Sequence, residues 1–285
     1  MPCSKLLVIN SAFGKYDPTK TTGLRLKFIR DIKRRFKKLS RQIQEAIVDK
    51  DVLGLNKPTT NVSQYQFAFA RTDEKINAFM DWIKDLERQN ILQVKSTLGT
   101  RKGLSPAWSD KYIDLAYKQG VTRAQAEMRK AGIQVPDFPL SFSFQQKIHI
   151  DSLGAIYTRM FSELEGITAQ MDLQISRILA DGLLKGQGAK EIAKQMANTV
   201  EGMGISRATT IARTEIIRSH HLANMNEYAQ YEMEGVKVQA EWNGVDDHRR
   251  CERCESNEGK IYTLEEITPL IPLHPNCRCM ALPVL

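Results

Sequence analysis

The sequence predicts a mainly α fold with a small C-terminal α+β module held by a Cys/His cluster. Three observations carry that expectation. Apolar residues recur every three or four positions over long stretches, the period that places them on one face of a helix. Strand-like alternation is confined to the region after Gly235. Four of the five cysteines fall in that same region, in the order Cys251-x2-Cys254-x19-His274-x2-Cys277-x-Cys279.

Composition sets outer bounds. The chain has 285 residues, 42% hydrophobic and 26% charged, an ordinary balance for a protein with a packed core. No apolar run approaches the roughly 20 residues that cross a bilayer, so no membrane span is expected. The apolar stretch from Leu6 to Ile9 is too short for a secretory signal and lacks a small-residue cleavage site. A reducing cytosol is the expected place of synthesis, where such cysteine clusters bind metal more often than they form disulfides. Residues 1–50 hold 13 Lys/Arg against 4 Asp/Glu, an excess of +9, which leaves the remainder at −1 within a total of +8. A basic arm on a nearly neutral body points to a polyanionic or acidic partner.

The chain divides into a basic N-terminal arm or helix (1–50), a helical body (51–204) and a C-terminal module (205–285). In the arm, Leu24, Phe28, Ile32, Phe36, Leu39, Ile43 and Ile47 form one apolar stripe. The other faces carry nine Lys/Arg from Arg25 to Arg41, opposed only by Asp31. Lys33, Arg34, Arg35, Lys37 and Lys38 are the expected contacts to nucleic acid or to an acidic protein surface. Gly54, Asn56 and Pro58 mark a loop, and Tyr65–Phe69 suggests a short strand. A helix starts at Asp73-Glu74, with Ile76, Met80, Ile83 and Leu86 on one side. Ser105-Pro106 reads as the start of another that Gly120 ends, and Thr122 with Gln125 as a capping box for a short helix stopping at Gly132. Pro136–Pro139 suggests a boundary. A long helix then runs from about Ser143 to Leu184, and Lys185-Gly186-Gln187-Gly188 breaks it. That glycine pair lacks the spacing of a phosphate-binding loop. A short helix spans about 189–197, Gly202-Met203-Gly204 follows, and the last long helix covers about 206–234. Val236–Trp242, Lys260–Thr263 and Met280–Val284 read as strands.

The cysteine cluster has the chemistry of a metal site. Two ligand pairs on tight turns suit a tetrahedral ion that prefers thiolate and imidazole, above all Zn2+. Cys251 and Cys254 are the first pair. Cys277 and Cys279 would complete an all-thiolate set, favoured by the strength of zinc–thiolate bonds. His274 with Cys277 would instead give three thiolates and one imidazole. Five ligands for four positions argue for a structural zinc, since a catalytic ion keeps an open position. Local disulfides or buried reduced thiols are the rival readings.

Other polar residues invite weaker readings. Arg213, Glu215, Arg218, His220 and His221 lie on the last helix, where Glu215 and Arg218 at i, i+3 suggest a salt-bridged face. A catalytic acid/base cluster would need a nucleophile, and none is nearby. His248 beside Asp246 and Asp247 suggests a zinc-stapled nuclease, but the parts stand in the wrong order. His149 and Trp108 read as core or surface residues. Met160, Met171, Met196, Met225 and Met233 fall at helix-core spacings.

From Ile211 onward the chain resembles the Mu F-like head-morphogenesis (minor head, or minor capsid) proteins of tailed phages. The resemblance rests on Ala212-Arg213-Thr214-Glu215, Gly235-Val236, Trp242, Asp247-x-Arg249-x-Cys251-x2-Cys254, Gly259 and His274-Pro275-Asn276-Cys277-Arg278-Cys279. It covers roughly the last 75 residues well; Trp108, Tyr112, Ala116 and Gly120 are compatible with it, and 1–100 match no motif. It implies a head-assembly component present in few copies at the portal vertex of the virion, without enzymatic activity. The implied partners are the portal protein, packaged double-stranded DNA and major capsid or scaffolding protein. One departure stands out: Glu255-Ser256-Asn257-Glu258 is wholly polar where relatives carry a hydrophobic residue.

Overall fold

Helical periodicity becomes helix almost throughout. The computed structural model describes residues 17–55, 73–92, 107–135, 139–247 and 249–285. The expected strand at Tyr65–Phe69, the Ser105-Pro106 helix start, Cys3 and His248 lie outside the described residues. Those described group into two compact units, one drawn from 1–28, 109–160 and 210–285, the other from 29–108 and 161–209.

Helix α1 (Thr22–Gln44), of which the residues from Ile29 belong to the second unit, continues through a π-helical turn, Glu45–Asp49. Helix α2 (Asp73–Glu87) ends in a similar turn, Arg88–Leu92. The apolar stripe of α1 is buried as expected: Ile32, Phe36, Leu39, Ile43 and Ile47 are at most 1% exposed. They share this unit's core with Ile83, Ile91, Ile167, Met171, Ile175 and Met196. Two arginines depart from the basic face read in the sequence. Arg25, in the first unit, is buried with its guanidinium 2.5 Å from Asp17. Arg35 lies 4.0 Å over the Trp108 ring and donates to the Asn90 carbonyl at 2.9 Å. Trp108 in turn donates to the Ile91 carbonyl. A planar guanidinium stacks on an aromatic face at little desolvation cost, which draws Arg35 off the outer face.

Helix α3 (Asp110–Lys130) overturns one expectation: it passes through Gly120 unbroken. Gly120 is there for close packing. A Cβ at that position would stand 2.4 Å from the His220 carbonyl oxygen and 2.6 Å from the Ala223 Cβ. Thr122 and Gln125 consequently lie inside the helix, and Gln125 donates to Glu227 at 2.7 Å. Short α4 (Leu140–Ser143) precedes α5 (Lys147–Leu184), and Gly186 at positive φ follows its end. Helix α6 (Ala189–Thr199) runs through a π-helical turn, Val200–Gly204, into α7 (Ile205–Met233), so Gly202-Met203-Gly204 is helical. Gly204 is required by the Phe36 ring, which a Cβ would meet at 2.4 Å. Met160, Met171, Met196 and Met225 are core residues, whereas Met233 at the end of α7 is exposed. Gly235, at φ +90°, closes α7 with the Val236 N–H bonded to the Tyr231 carbonyl.

A three-stranded antiparallel sheet completes the first unit, ordered β2-β1-β3 from β1 (Gln239–Asn243), β2 (Ile261–Thr263) and β3 (Met280–Val284). Ala240 sits opposite Tyr262 on one side and Pro283 on the other. Pro283 is tolerated because β3 is an edge. Ala240 and Trp242 point into a core with Ile217, Met225, Tyr228, Val238, Ile267 and Ala281. The first unit therefore rests its sheet on α7.

Two outcomes follow. Gly120→Ala should destabilise by about 1–3 kcal/mol through overpacking, whereas Gly166→Ala on α5, with nothing within 4 Å, should stabilise by up to about 1 kcal/mol. Urea midpoints that move in the same direction would refute the close α3–α7 approach. Separately, Glu87 is buried facing Asp172, and burial followed by that neighbouring carboxylate pushes its pKa up to about 9. Between its unfolded value of 4.5 and about 9 the folded chain keeps a proton that the unfolded chain has lost. Stability should therefore fall as pH rises through that window, and Glu87→Gln should flatten the decline. Denaturation midpoints at pH 5 and pH 8 check this.

Candidate metal centre

The two ligand pairs are made by local turns. Cys251 precedes α8 (Glu252–Glu255) in extended conformation, and its carbonyl accepts from the Cys254 and Glu255 N–H groups, both at 3.0 Å. One turn of helix so places both sulfurs on the same side. Asn276 adopts a left-handed φ of 64°, and the Cys277 N–H closes a turn onto the His274 carbonyl at 3.1 Å. Asparagine tolerates that conformation better than most side chains.

These turns meet at Cys254. His274 Nε2 lies 3.3 Å from Cys251 Sγ and 3.1 Å from Cys254 Sγ, while Cys254 Sγ and Cys277 Sγ are 4.0 Å apart. Two groups of three ligands result, Cys251–Cys254–His274 and Cys254–Cys277–Cys279, with Cys254 in both. A tetrahedral zinc with bonds of about 2.3 Å to sulfur and about 2.05 Å to nitrogen separates its sulfurs by about 3.8 Å and sulfur from nitrogen by about 3.5 Å. The spacings here are close to those values. All four thiols are free, and Cys254, Cys277 and Cys279 are buried. The His274 tautomer also fits. Nδ1 donates to the Pro275 carbonyl at 2.8 Å, which leaves the Nε2 lone pair directed at the sulfurs.

Thiol contacts link the sulfurs of the cluster. Hydrogen bonds with Cys254 and then Cys279 pull the Cys277 thiol pKa down. The same hydrogen bond with Cys277 pushes Cys254 up to about 12, and Cys279 is raised by its bonds to Cys254 and Cys277. A divalent cation can replace the thiol protons and neutralise the crowded sulfurs together.

The surroundings fix both turns. Arg278 clamps Asp247 with two hydrogen bonds of 2.6 Å, tying the loop before Cys251 to the segment between Cys277 and Cys279. Those bonds from Arg278 hold the Asp247 carboxyl well below the usual carboxylate range. On α7, Thr214 Oγ1 accepts from the Asn276 N–H at 3.1 Å, and Arg213 reaches Asn276 Oδ1 at 3.5 Å. The polar run after Cys254 finds partners as well. Asn257 accepts from the Tyr262 hydroxyl at 2.6 Å, and Glu258 accepts from the Gly244 N–H at 2.8 Å. Its polarity is used in hydrogen bonds that hold the β1–β2 connection.

The other sequence-derived residues have defined places. Glu215 is buried and meets Arg159 at 3.0 Å and Arg218 at 3.4 Å, so the expected Glu215–Arg218 pair is present. The His221 Nε2 donates to the Ile267 and Thr268 carbonyls at 3.2 Å. Burial pushes the His220 pKa down to about 3 and that of His221 down to about 4. His149 and Trp108 are buried, each with hydrogen-bond partners. The basic residues of α1 stand on a different element from the cysteines: Lys33, Arg34, Lys37 and Lys38 are exposed, and Arg35 is packed on Trp108. Sequence reasoning missed the roles of Asp247 with Arg278 and of Thr214 with Asn276. All four residues stood inside the quoted motifs, and opposite charges flanking two ligand pairs were the available signal.

Asp247→Asn should leave the fold intact but weaken metal affinity about 10–100-fold, since outer partners orient ligand loops. Competition against a chromogenic chelator measures this, and unchanged affinity would mean that the clamp does not position the ligands.

No curated protein and no solved structure shows significant similarity to the chain. The family model described as Phage Mu protein F like protein matches residues 173–282, a stretch that includes α7, strands β1 and β2, the start of β3 and all five Cys/His residues of the cluster. Over that stretch the chain is similar to the Mu F-like family of phage proteins.

Proposed function

We propose that this chain is a structural minor head protein of a tailed phage, associated with the portal vertex and acting in head assembly and in packaging or delivery of DNA. The observation that carries the reading is the family match, which spans the helix, sheet and ligand loops that together form one docked module. Phage head morphogenesis is what that family points to. The portal, the packaged double-stranded DNA and the capsid or scaffolding protein are the partners this role requires, and the virion is its location.

The protein acts by assembly rather than turnover. His220 and His221 are buried with depressed pKa values, and Asp247 is engaged by Arg278, which supports that reading over a nuclease. The metal is a structural zinc. The direction of the His274 Nε2 lone pair supports a set of Cys251, Cys254, His274 and Cys277, with the Cys279 thiol packed behind it. Binding in small sites of this kind supplies on the order of 10 kcal/mol of folding free energy. The segment from about Trp242 onward therefore depends on it.

Protein purified under reducing conditions should carry about one equivalent of zinc, and its cobalt form should show thiolate charge-transfer bands. His274→Ala should weaken metal binding more than Cys279→Ala; the reverse order would favour the all-thiolate set. The chain should co-purify with portal protein or heads, and Cys254→Ala should cost head function or stability. Metal-dependent DNA cleavage by the pure protein, lost on changing His248 alone, would replace this reading with the nuclease.

A further inference from the structure

Between Lys27 and Arg41, every position of α1 that is exposed carries Lys or Arg: Lys27, Arg30, Lys33, Arg34, Lys37, Lys38 and Arg41. A shallow groove along the helix is lined by the last six of these. Arg34 shares a 3.1 Å ion pair with Asp31, while among the described residues no carboxylate pairs with the other six. The side chains recur at three- and four-residue spacing, so they form a band about 21 Å long, at 1.5 Å of rise per residue.

We infer that this band is a docking surface for the phosphate backbone of duplex DNA, contacted without regard to sequence. Three polyanions could answer a positive band, and the structure separates them. A protein interface is organised around buried apolar or aromatic anchors, with charge depleted at its centre. No exposed position from Lys27 to Arg41 offers such an anchor. A membrane-surface helix needs a free apolar face. That of α1 is already consumed by the core, with Phe28, Ile32, Phe36 and Leu39 buried. Duplex DNA asks only for cations in a row, because it presents about one negative charge per 1.7 Å of axis. The mixture of guanidinium and ammonium groups suits phosphate oxygens, which accept from both. The absence of exposed Asn, Gln or aromatic side chains in the band leaves it without groups that read base edges by amide pairing or stacking.

The inference deepens the DNA role proposed above and relies on α1, which lies outside the residues matched to the family. Its failure would leave co-purification with portal untouched, so the two readings fail separately. The test measures anisotropy of a labelled 30-base-pair duplex titrated with the full chain between 50 and 200 mM KCl. If the six unpaired cations each displace a counterion, log Kd should rise with log salt at a slope of up to about 5, close to a thousandfold over that range. Lys33→Gln/Lys37→Gln/Lys38→Gln should lower the slope by about 3. Lys185→Gln/Lys190→Gln/Lys194→Gln removes the same charge from exposed positions elsewhere and should change it little. Two duplexes of unrelated sequence should bind alike.

Equal loss in both triple variants would mean that only net charge matters and would overturn the inference. Absence of duplex binding by the unaltered chain at 50 mM salt would also overturn it. Polyglutamate that competes as well as DNA at matched charge would assign the band to an acidic protein. The replaced side chains are all exposed, so circular dichroism and urea midpoints should match the unaltered chain. The salt slope of that chain stands as a measurement independent of any variant.

Discussion

The convergence of two short turns on Cys254 is the constraint on which the C-terminal module depends. Its sheet has strands of only five, three and five residues, too little on its own to hold a stable unit in water. Cys254 is the one sulfur common to both ligand groups, and it faces His274 from one loop end and Cys277 from the next. Around it, each fixed element constrains another. The α8 turn sets the Cys251–Cys254 spacing, Asn276 sets that of His274 and Cys277, and the Asp247–Arg278 clamp holds the two turns in register. Thiols crowded this closely are suited to give up their protons for a divalent cation.

Helix α7 supplies the rigid support. One stretch of it carries Thr214, which anchors Asn276; Glu215, which gathers Arg159 and Arg218; and His221, which satisfies two carbonyls at the end of α9 (Leu264–Ile267). These residues look like catalytic material in a sequence. In the fold they satisfy buried polar groups that would otherwise cost about 1–3 kcal/mol each. The same helix turns Tyr228 and Met225 toward Trp242, so the polar anchors and the apolar core of the module act through one element. The Arg213-Thr214-Glu215 run on the helix and the distant His274-x2-Cys277 loop are thereby joined: Thr214 accepts from the Asn276 N–H between the two ligands.

Helix α1 shows how a single amphipathic segment can meet two demands. Its apolar stripe fills a core, and between Lys27 and Arg41 every exposed position carries a positive charge. Solubility would be met by mixed charge, with acidic residues offsetting basic ones along the face. Asp31, the lone carboxylate of this stretch, is turned inward to Arg34 and Arg35. The outer field is left positive, as a surface that attracts polyanions requires.

The sequence by itself determined the mainly α class, the apolar stripe of α1, the long helix ending at Leu184, the strand at Met280–Val284 and the five Cys/His residues that the fold brings together. Each of these is written in local periodicity or in the spacing of chemically distinctive residues, which short-range geometry translates directly. Tertiary structure alone decided what the glycines and the charged residues do. Gly120 reads as a helix stop, yet it lies mid-helix because another helix passes too close for a Cβ. Gly204 answers a phenylalanine from α1 in the same way. Arg25 and Arg35 belong by spacing to a solvated face, but the Asp17 carboxylate just before the helix draws the first inward and the indole of Trp108, remote in sequence, the second. Arg278 reads as a spacer between ligands until its partner, 31 residues earlier, is in place. Periodicity records which way a side chain points along its own helix or strand; what it meets there depends on segments distant in the chain, and only the folded packing brings them together.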